Sequence, residues 1–391
     1  MMQDKPLKDG IISVYKPSGM TSNDVIYKMR AILGIKKIGH TGTLDPMATG
    51  VLPVCINKST RAAEYLDEDF KTYKATMKLG IITTTLDMTG AVEEMRDTSH
   101  VTEPEILKAL FSQTGLIDQL PPLISAIRIN GRRLYEFIHD GEEIPPEIAE
   151  KIKPRKVLIK DITVNLIDMG SYGCSAGPVV KFTVTCSKGT YIRSIARDVG
   201  EILGCGASLE NLERTASGVF TKENSVPLSE LIEIARCEGL IEMMEAEDGT
   251  AAGGDFSKMP AEYMIKRLRR FGDEIPEAFK EYVYGTDFPL THFGKAIVSP
   301  KLARKFIDGW HLGYNEIEIA ERPKASRLAS EAEALGCERI EKNDGSTPGI
   351  RIRPEYAGMY RIYSSDGSFI GIAKHSEKYK KLVCDKIFYR I

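Results

Sequence analysis

The sequence predicts an α+β protein with a small β-rich region at its C-terminal end, and three observations carry that prediction. Before residue 245, strand-type and helix-type periodicities alternate irregularly, unlike the regular repeat of a parallel α/β protein. Residues 245–260, EAEDGTAAGGDFSKMP, are acidic, small and Gly-rich, and they interrupt the periodic pattern on both sides as a linker would. Beyond residue 288 short strand patterns dominate. With 391 residues, enough for two or three domains, the expected organisation is a first domain over 1–244, a linker at 245–260 and a second domain over 289–391. Residues 261–288 fit neither domain.

Individual elements follow from spacing. In TSNDVIYKMRAILG, residues 21–34, cap-type residues precede a stripe of Val25, Met29, Ile32 and Leu33, and Gly34 supplies a stop, so an amphipathic helix is expected. Tyr73, Ala75, Met77 and Leu79 alternate with Lys74, Thr76 and Lys78, the period of a strand with one buried face. A second strand shows Val180, Phe182, Val184 and Cys186 in alternation. It runs through Gly189 into a helix whose apolar positions are Ile192, Ile195, Ala196, Val199, Ile202 and Leu203. The same spacing puts Arg193 on that helix's polar side. Near the C-terminal end, IVSPKLARKFIDGWHL (297–312) reads as a strand and a short helix, and MYRIYSSDGSFIGIAK as a hairpin turning at Asp366 and Gly367.

Composition narrows the function classes. Hydrophobic residues make up 42% and charged residues 28%, an ordinary globular balance, and no apolar run approaches the roughly 18 residues of a membrane span. The expected location is cytoplasmic. Seven cysteines, an odd number with no CxxC pair, read as reduced thiols, and the six histidines show no HxH or HExxH spacing. No metal site is expected. A net charge of −2 argues against gripping nucleic acid by overall positive charge, so any RNA contact must be local. KIKPRKVLIK (151–160) and KRLRR (266–270) are the basic stretches that could supply it, although a solvated face accounts for each equally well.

The most informative stretch is GHTGTLDPMATGVLP, residues 39–53. Glycines at 39, 42 and 50 and prolines at 46 and 53 bend it tightly, and Asp45 lies at its centre. Composition alone makes such an aspartate a turn residue. The whole stretch, however, resembles the signature loop of the TruB family of tRNA pseudouridine synthases. KPSGMTSND (16–24), YKA (73–75), SAIRINGRRLYE (125–136) and SKGTYIRSIARDVGEILGCGA (187–207) resemble further segments of that family in the same order, so the likeness spans about residues 10–230.

The resemblance implies the pseudouridine synthase fold, a mixed and largely antiparallel central sheet flanked by helices. It also implies isomerisation of uridine 55 in the T loop of tRNA, without cofactor. The substrate would be the tRNA T arm, met by a monomer with no obligate protein partner. Position by position, the family's catalytic aspartate falls on Asp45, its base-stacking tyrosine on Tyr73, and its active-site tyrosine and arginine on Tyr191 and Arg193. The loop histidine that fills the space left by the base falls on His40, a pocket leucine on Leu212, and Lys16 is expected with His40, Tyr191 and Leu212 among the substrate-binding residues.

The reaction suits these residue types. It breaks the N1 to C1′ bond, turns the uracil and joins C5 to C1′, with no net redox change. A carboxylate with an ordinary pKa of about 3.9 is ionised at neutral pH and can attack C1′ or C6, or act by electrostatic stabilisation and proton removal. Burial beneath a base would protonate it unless a cation such as the Arg193 guanidinium opposed the shift. The base must be flipped out of the RNA, and stacking on Tyr73 would offset about 1–3 kcal/mol of that cost.

Two positions depart from the family pattern. Thr84 stands where many relatives carry aspartate, and Ile124 replaces the tyrosine often seen before Ser125. Beyond residue 285 the sequence resembles, diffusely, a PUA-type RNA-binding domain. Competing readings are a tRNA-folding helper in which Asp45 is dispensable and a related synthase that acts on another RNA with partner proteins.

Overall fold

The helix expected at 21–34 forms over Ser22–Leu33, and its ends show why. Asp24 N–H donates to the Thr21 hydroxyl at 3.1 Å while the Asp24 carboxylate accepts from Thr21 N–H at 2.7 Å, a reciprocal cap that satisfies donors the first turn leaves open. Gly34 ends the helix in the left-handed region at φ 62°, and a Cβ there would come within 2.7 Å of the Arg269 side chain. Val25, Met29, Ile32 and Leu33 are completely buried.

The computed structural model describes residues 6–66, 69–125, 127–129, 131–134, 137, 145–170, 177–243, 263, 265–324, 330, 334 and 358–389. The linker expected at 245–260 lies outside them, as does part of SAIRINGRRLYE. Packing divides the chain into two compact units, one drawn from Met1–Asp69, Ala216–Ser330 and Ile352–Ile391, the other from Phe70–Thr215 and Glu331–Arg351. These boundaries differ from those that composition suggests, because the second unit is an insertion within the first.

In the first unit, strand Gly10–Lys16 pairs antiparallel with Thr49–Ile56 and parallel with Val226–Pro227, which makes this part of the sheet mixed. Ile38–His40 adds antiparallel to Thr49–Ile56, and helix Ser22–Leu33 packs beside helix Leu228–Cys237. The described residues of the stretch 261–288, unassigned from sequence, belong here. Ile265–Arg267 pairs with Ile241–Met243, Gly272 bridges to Ile35, and Val283–Tyr284 pairs with Gly10–Lys16.

The C-terminal β-rich region is part of the same unit. Its five strands run in the order Glu318–Glu321, Gly294–Val298, Met359–Ser364, Phe369–Ser376, Lys381–Ile387. Gly294–Val298 and Met359–Ser364 pair in parallel and the other neighbours antiparallel. The expected helix is Pro300–Ile307, and the expected hairpin turns with Gly367 at φ 86°. One core cluster joins this sheet to the N-terminal segment: Ala62 and Tyr65 pack with Leu290, Phe293, Met359, Ile372 and Phe388. Tyr65 hydrogen-bonds Asp385, and Lys386 pairs with Glu64 at 2.9 Å.

The second unit is an antiparallel sheet. Lys71–Leu79 pairs with Val179–Cys186, which pairs with Arg155–Asp168, which pairs with Gly115–Gln119. Ala207–Ser217 lies on the other side of Lys71–Leu79. Tyr73, Ala75, Met77 and Leu79 are buried as their alternation requires, and helix Ile192–Ile202 packs against this strand and against helix Glu103–Phe111. Two expectations for that helix need correction. Ile202 is 57% exposed because the helix ends there, and Arg193, expected on the polar side, is only 4% exposed. A period of 3.6 identifies a face, but it cannot register that a buried charge has partners.

Candidate active site

The loop bearing Asp45 is held from both sides by the segment that leads into the first helix and by that helix's first residue. The Ser22 hydroxyl hydrogen-bonds the Leu44 backbone twice, accepting from its N–H at 2.8 Å and donating to its carbonyl at 3.2 Å. On the other side of Asp45, the Pro46 carbonyl accepts from Gly19 N–H at 3.0 Å and from the Lys16 ammonium at 3.2 Å, and the Ser18 hydroxyl donates to Met47 O at 3.0 Å. Pro46 restricts Asp45 itself to extended backbone conformations. The Asp45 carbonyl accepts from Ala48 N–H at 3.1 Å, and Gly42 and Gly50, at φ 81° and 114°, make bends that a side chain would oppose. Asp45 is half-buried.

Lys16 is completely buried, and its ammonium also donates to Met20 O at 2.6 Å and Pro17 O at 2.9 Å. An ammonium has three protons to give, and backbone carbonyls of the two segments meet them here. The structure therefore places this lysine beneath the loop as a tie between KPSGMTSND and the Asp45 turn. His40 is half-buried in strand Ile38–His40 and pairs in register with Val54.

The remaining candidates lie in the second unit. Tyr73 is 7% exposed and sits opposite Val184 in the sheet, and Leu212 is 4% exposed on strand Ala207–Ser217. Tyr191 caps helix Ile192–Ile202, and Gln119 fixes its backbone by accepting from its N–H at 2.8 Å and donating to its carbonyl at 3.1 Å. The Arg193 guanidinium donates to Thr85 O at 2.8 Å and to Ile124 O at 3.2 Å, and its Nε lies 3.8 Å from the buried Asp87 carboxylate. Asp87 in turn accepts from the Thr85 hydroxyl at 2.8 Å, Thr89 N–H at 3.0 Å and the Thr89 hydroxyl at 2.5 Å. Arg193 is thus held and aimed by Asp87 together with the carbonyls of Thr85 and Ile124. The substituted Ile124 serves this purpose through its backbone oxygen, which any residue there supplies.

Sequence reasoning did not single out the pair that Asp87 makes with Arg193. The threonines two residues to either side were its visible signal, since they match short side-chain turns about an aspartate. The buried Lys71 and Arg214 carried no such signal, nor did Gln119. Cys186, near Lys71 and Arg214, has its thiol pushed up to about 12 by burial, the cause that outweighs both cations. Among the described residues, no group of three or more His, Cys, Asp or Glu side chains could hold a metal ion, and no helix is long and apolar enough to cross a membrane.

Comparison with known proteins decides the family. The N-terminal domain of TruB family pseudouridylate synthases matches residues 30–192, and the tRNA pseudouridylate synthase B C-terminal domain matches residues 193–242. A tRNA pseudouridine synthase B of Clostridium novyi is 36% identical over 374 residues, 96% of this chain and 98% of that protein. The chain belongs to the TruB family of pseudouridylate synthases. A second TruB relative, from Clostridioides difficile, is 46% identical over 221 residues, 56% of this chain and 69% of its own length. Among solved structures, a Cbf5–Nop10–Gar1 complex matches with a TM-score of 0.59 at 23% identity, over 97% of this chain and 84% of the matched one. An H/ACA ribonucleoprotein bound to a substrate RNA matches with a TM-score of 0.57 at 21% identity, over 97% and 85%. At that identity the structural likeness concerns the pseudouridine synthase fold. The Asp45 loop and the Arg193 surroundings described above fall within the residues that the two family domains match.

Proposed function

We propose that this chain converts uridine 55 in the T loop of tRNA to pseudouridine, acting alone, with Asp45 as the carboxylate that attacks or stabilises the ribosyl or uracil centre. The observation that carries the reading is likeness to the tRNA pseudouridine synthase B of Clostridium novyi along 96% of the chain. The bracketing of Asp45 by Ser22, Gly19, Lys16 and Ser18 supports it, because a carboxylate that must meet one ring atom gains from a backbone that does not wander. Tyr73 takes the stacking role, and its hydroxyl is suited to removing the C5 proton in the last step. Arg193, pre-aimed by Asp87 and two carbonyls, is the cation that keeps the reacting carboxylate ionised. His40, Tyr191 and Leu212 complete the substrate contacts, and the C-terminal sheet acts as a PUA-type module that adds RNA affinity without chemistry.

The test is pseudouridine mapping in a T-arm minihelix and in an unmodified tRNA transcript after incubation with the purified chain. Modification at position 55 is expected without any added protein or guide RNA. Asp45→Asn is expected to keep tRNA affinity and lose turnover by about 10³-fold or more. Turnover by this variant near the wild-type rate would remove Asp45 from the chemistry, and absence of pseudouridine with the wild-type chain would overturn the reading as a whole.

A further inference from the structure

Arg267 and Phe271, from a stretch that sequence reasoning left without a role, build one wall of an open groove of about 530 Å³ against the first helix, within a single unit. Its lining is Tyr27, Arg30 and Ala31 from the helix, Lys36 just beyond it, and Arg267 and Phe271 from the opposite wall. Tyr27 is 55% exposed and Phe271 41% exposed, an unusual outlay of aromatic surface to water. Each ring is accompanied by cations. Arg30 lies 5.4 Å from the Tyr27 centroid, while Arg267 and Lys36 lie 3.8 and 5.3 Å from that of Phe271.

Charge pairing separates this groove from an ordinary solvated face. Neighbouring cations are neutralised: Lys266 pairs with Glu242 at 2.8 Å, and Lys8 with Asp273 at 2.9 Å. Among the described residues no ion pair holds Arg30, Lys36 or Arg267; the Arg30 guanidinium donates to Ile38 O at 3.3 Å, and its buried Nε–H has no hydrogen-bond partner. The walls are fixed with respect to one another, since Gly272 N–H donates to Gly34 O at 2.8 Å and Arg269 packs where a Cβ on Gly34 would stand.

We propose that this groove is an RNA-binding surface that stacks an unpaired base and holds its flanking phosphates. A guanidinium lying 3.8 Å over an aromatic ring is both a planar stacking surface and a bidentate phosphate ligand, and Arg30 and Lys36 add charge where a backbone would pass. An acidic peptide would satisfy the cations but would leave two exposed rings without a planar partner. The inference rests on the reading of the chain as an RNA-modifying enzyme, and it adds a contact made by residues that belong neither to the Asp45 loop nor to the C-terminal sheet.

The test measures affinity for a labelled, unmodified tRNA transcript across a KCl series from about 50 to about 200 mM, the range over which phosphate contacts reveal themselves. Lys36→Ala/Arg267→Ala is expected to weaken binding about tenfold or more at the low-salt end. It should also lower the log–log salt slope by about 2, as loss of two phosphate contacts requires. Turnover at saturating tRNA should be unchanged. Tyr27→Ala should weaken binding about fivefold or more with the slope retained, because stacking releases no counterions. A charge-neutralised variant with wild-type affinity and slope, its fold verified by circular dichroism, overturns the proposal, as does a Tyr27→Ala loss confined to the slope. Binding and turnover are read separately. A wild-type chain that forms no pseudouridine yet shows the predicted slope change would defeat the proposed reaction and leave the groove standing.

Discussion

Lys16 shows how a single residue can set the geometry of a site it does not have to touch. Its ammonium, out of contact with solvent, donates to carbonyls of Pro17, Met20 and Pro46 and so ties the Asp45 turn to the start of the first helix. Removing it leaves buried carbonyl oxygens unsatisfied, at about 1–3 kcal/mol for each that water cannot reach, partly offset because an ammonium no longer has to be buried. Lys16→Met is therefore expected to destabilise the protein by about 2 kcal/mol in urea denaturation, and to lower kcat more than it raises KM. A variant of unchanged stability would show that the tie is replaceable by packing. The residue was legible in the sequence as part of KPSGMTSND, but its partners were not, since carbonyl acceptors leave no mark in composition.

At the scale of elements, the loop between Tyr284 and the strand at Gly294–Val298 places His292 against the cluster that joins the C-terminal sheet to the N-terminal segment. Its ring lies 4.5 Å from that of Phe293, edge to face, and its Nε2 has no hydrogen-bond partner among the described residues. Burial depresses its pKa below 6.5, an effect opposed by Asp69 and reinforced by Arg361. The sign follows from proton counting: between the depressed folded value and 6.5 the unfolded chain binds more protons, so stability rises with pH there. The contribution is fully present above about pH 6.5 and is lost as pH falls through the folded value. Thermal melts from about pH 7.5 down to about pH 5 should show Tm falling over this window, and His292→Phe should flatten that fall. An unchanged slope in the variant would assign the acid sensitivity to other groups. Elements with strong periodicity, the helix at Ser22–Leu33 and the strand at Lys71–Leu79, were readable because each buries one regular face. The short strands Ile265–Arg267 and Val283–Tyr284 were not, because two or three residues carry no period.

For the whole molecule, composition suggested a C-terminal domain tethered behind a linker, whereas packing groups the described residues at 265–324 and 358–389 with the N-terminus in one unit. Phe293, Leu290, Met359 and Phe388 share a core with Tyr65 and Ala62, and Val283–Tyr284 extends the strand Gly10–Lys16. Full burial of each such large side chain contributes about 1.5–3 kcal/mol. A chain ending at Met243 is accordingly expected to lose several kcal/mol and to expose Tyr65 and Ala62. It should appear as aggregation on expression or as a Tm lower by more than about 10 °C, well beyond the few degrees that about 1 kcal/mol represents. A truncated chain with the full Tm and normal solubility would mean that the C-terminal sheet adds nothing to the stability of this unit.

The sequence by itself determined the family, the α+β class, the Asp45 loop and the strongest elements. Each of these rests on local signals: ordered motifs, caps, and periods of 2 or 3.6 residues along one stretch of chain. Only the tertiary structure decided that Arg193 is buried against Asp87, that Lys16 lies beneath the Asp45 loop, and that Arg267 and Phe271 wall a cationic aromatic groove. Those outcomes depend on which distant groups meet, and a buried charge or a short strand becomes stable only once its partner from elsewhere in the chain has arrived.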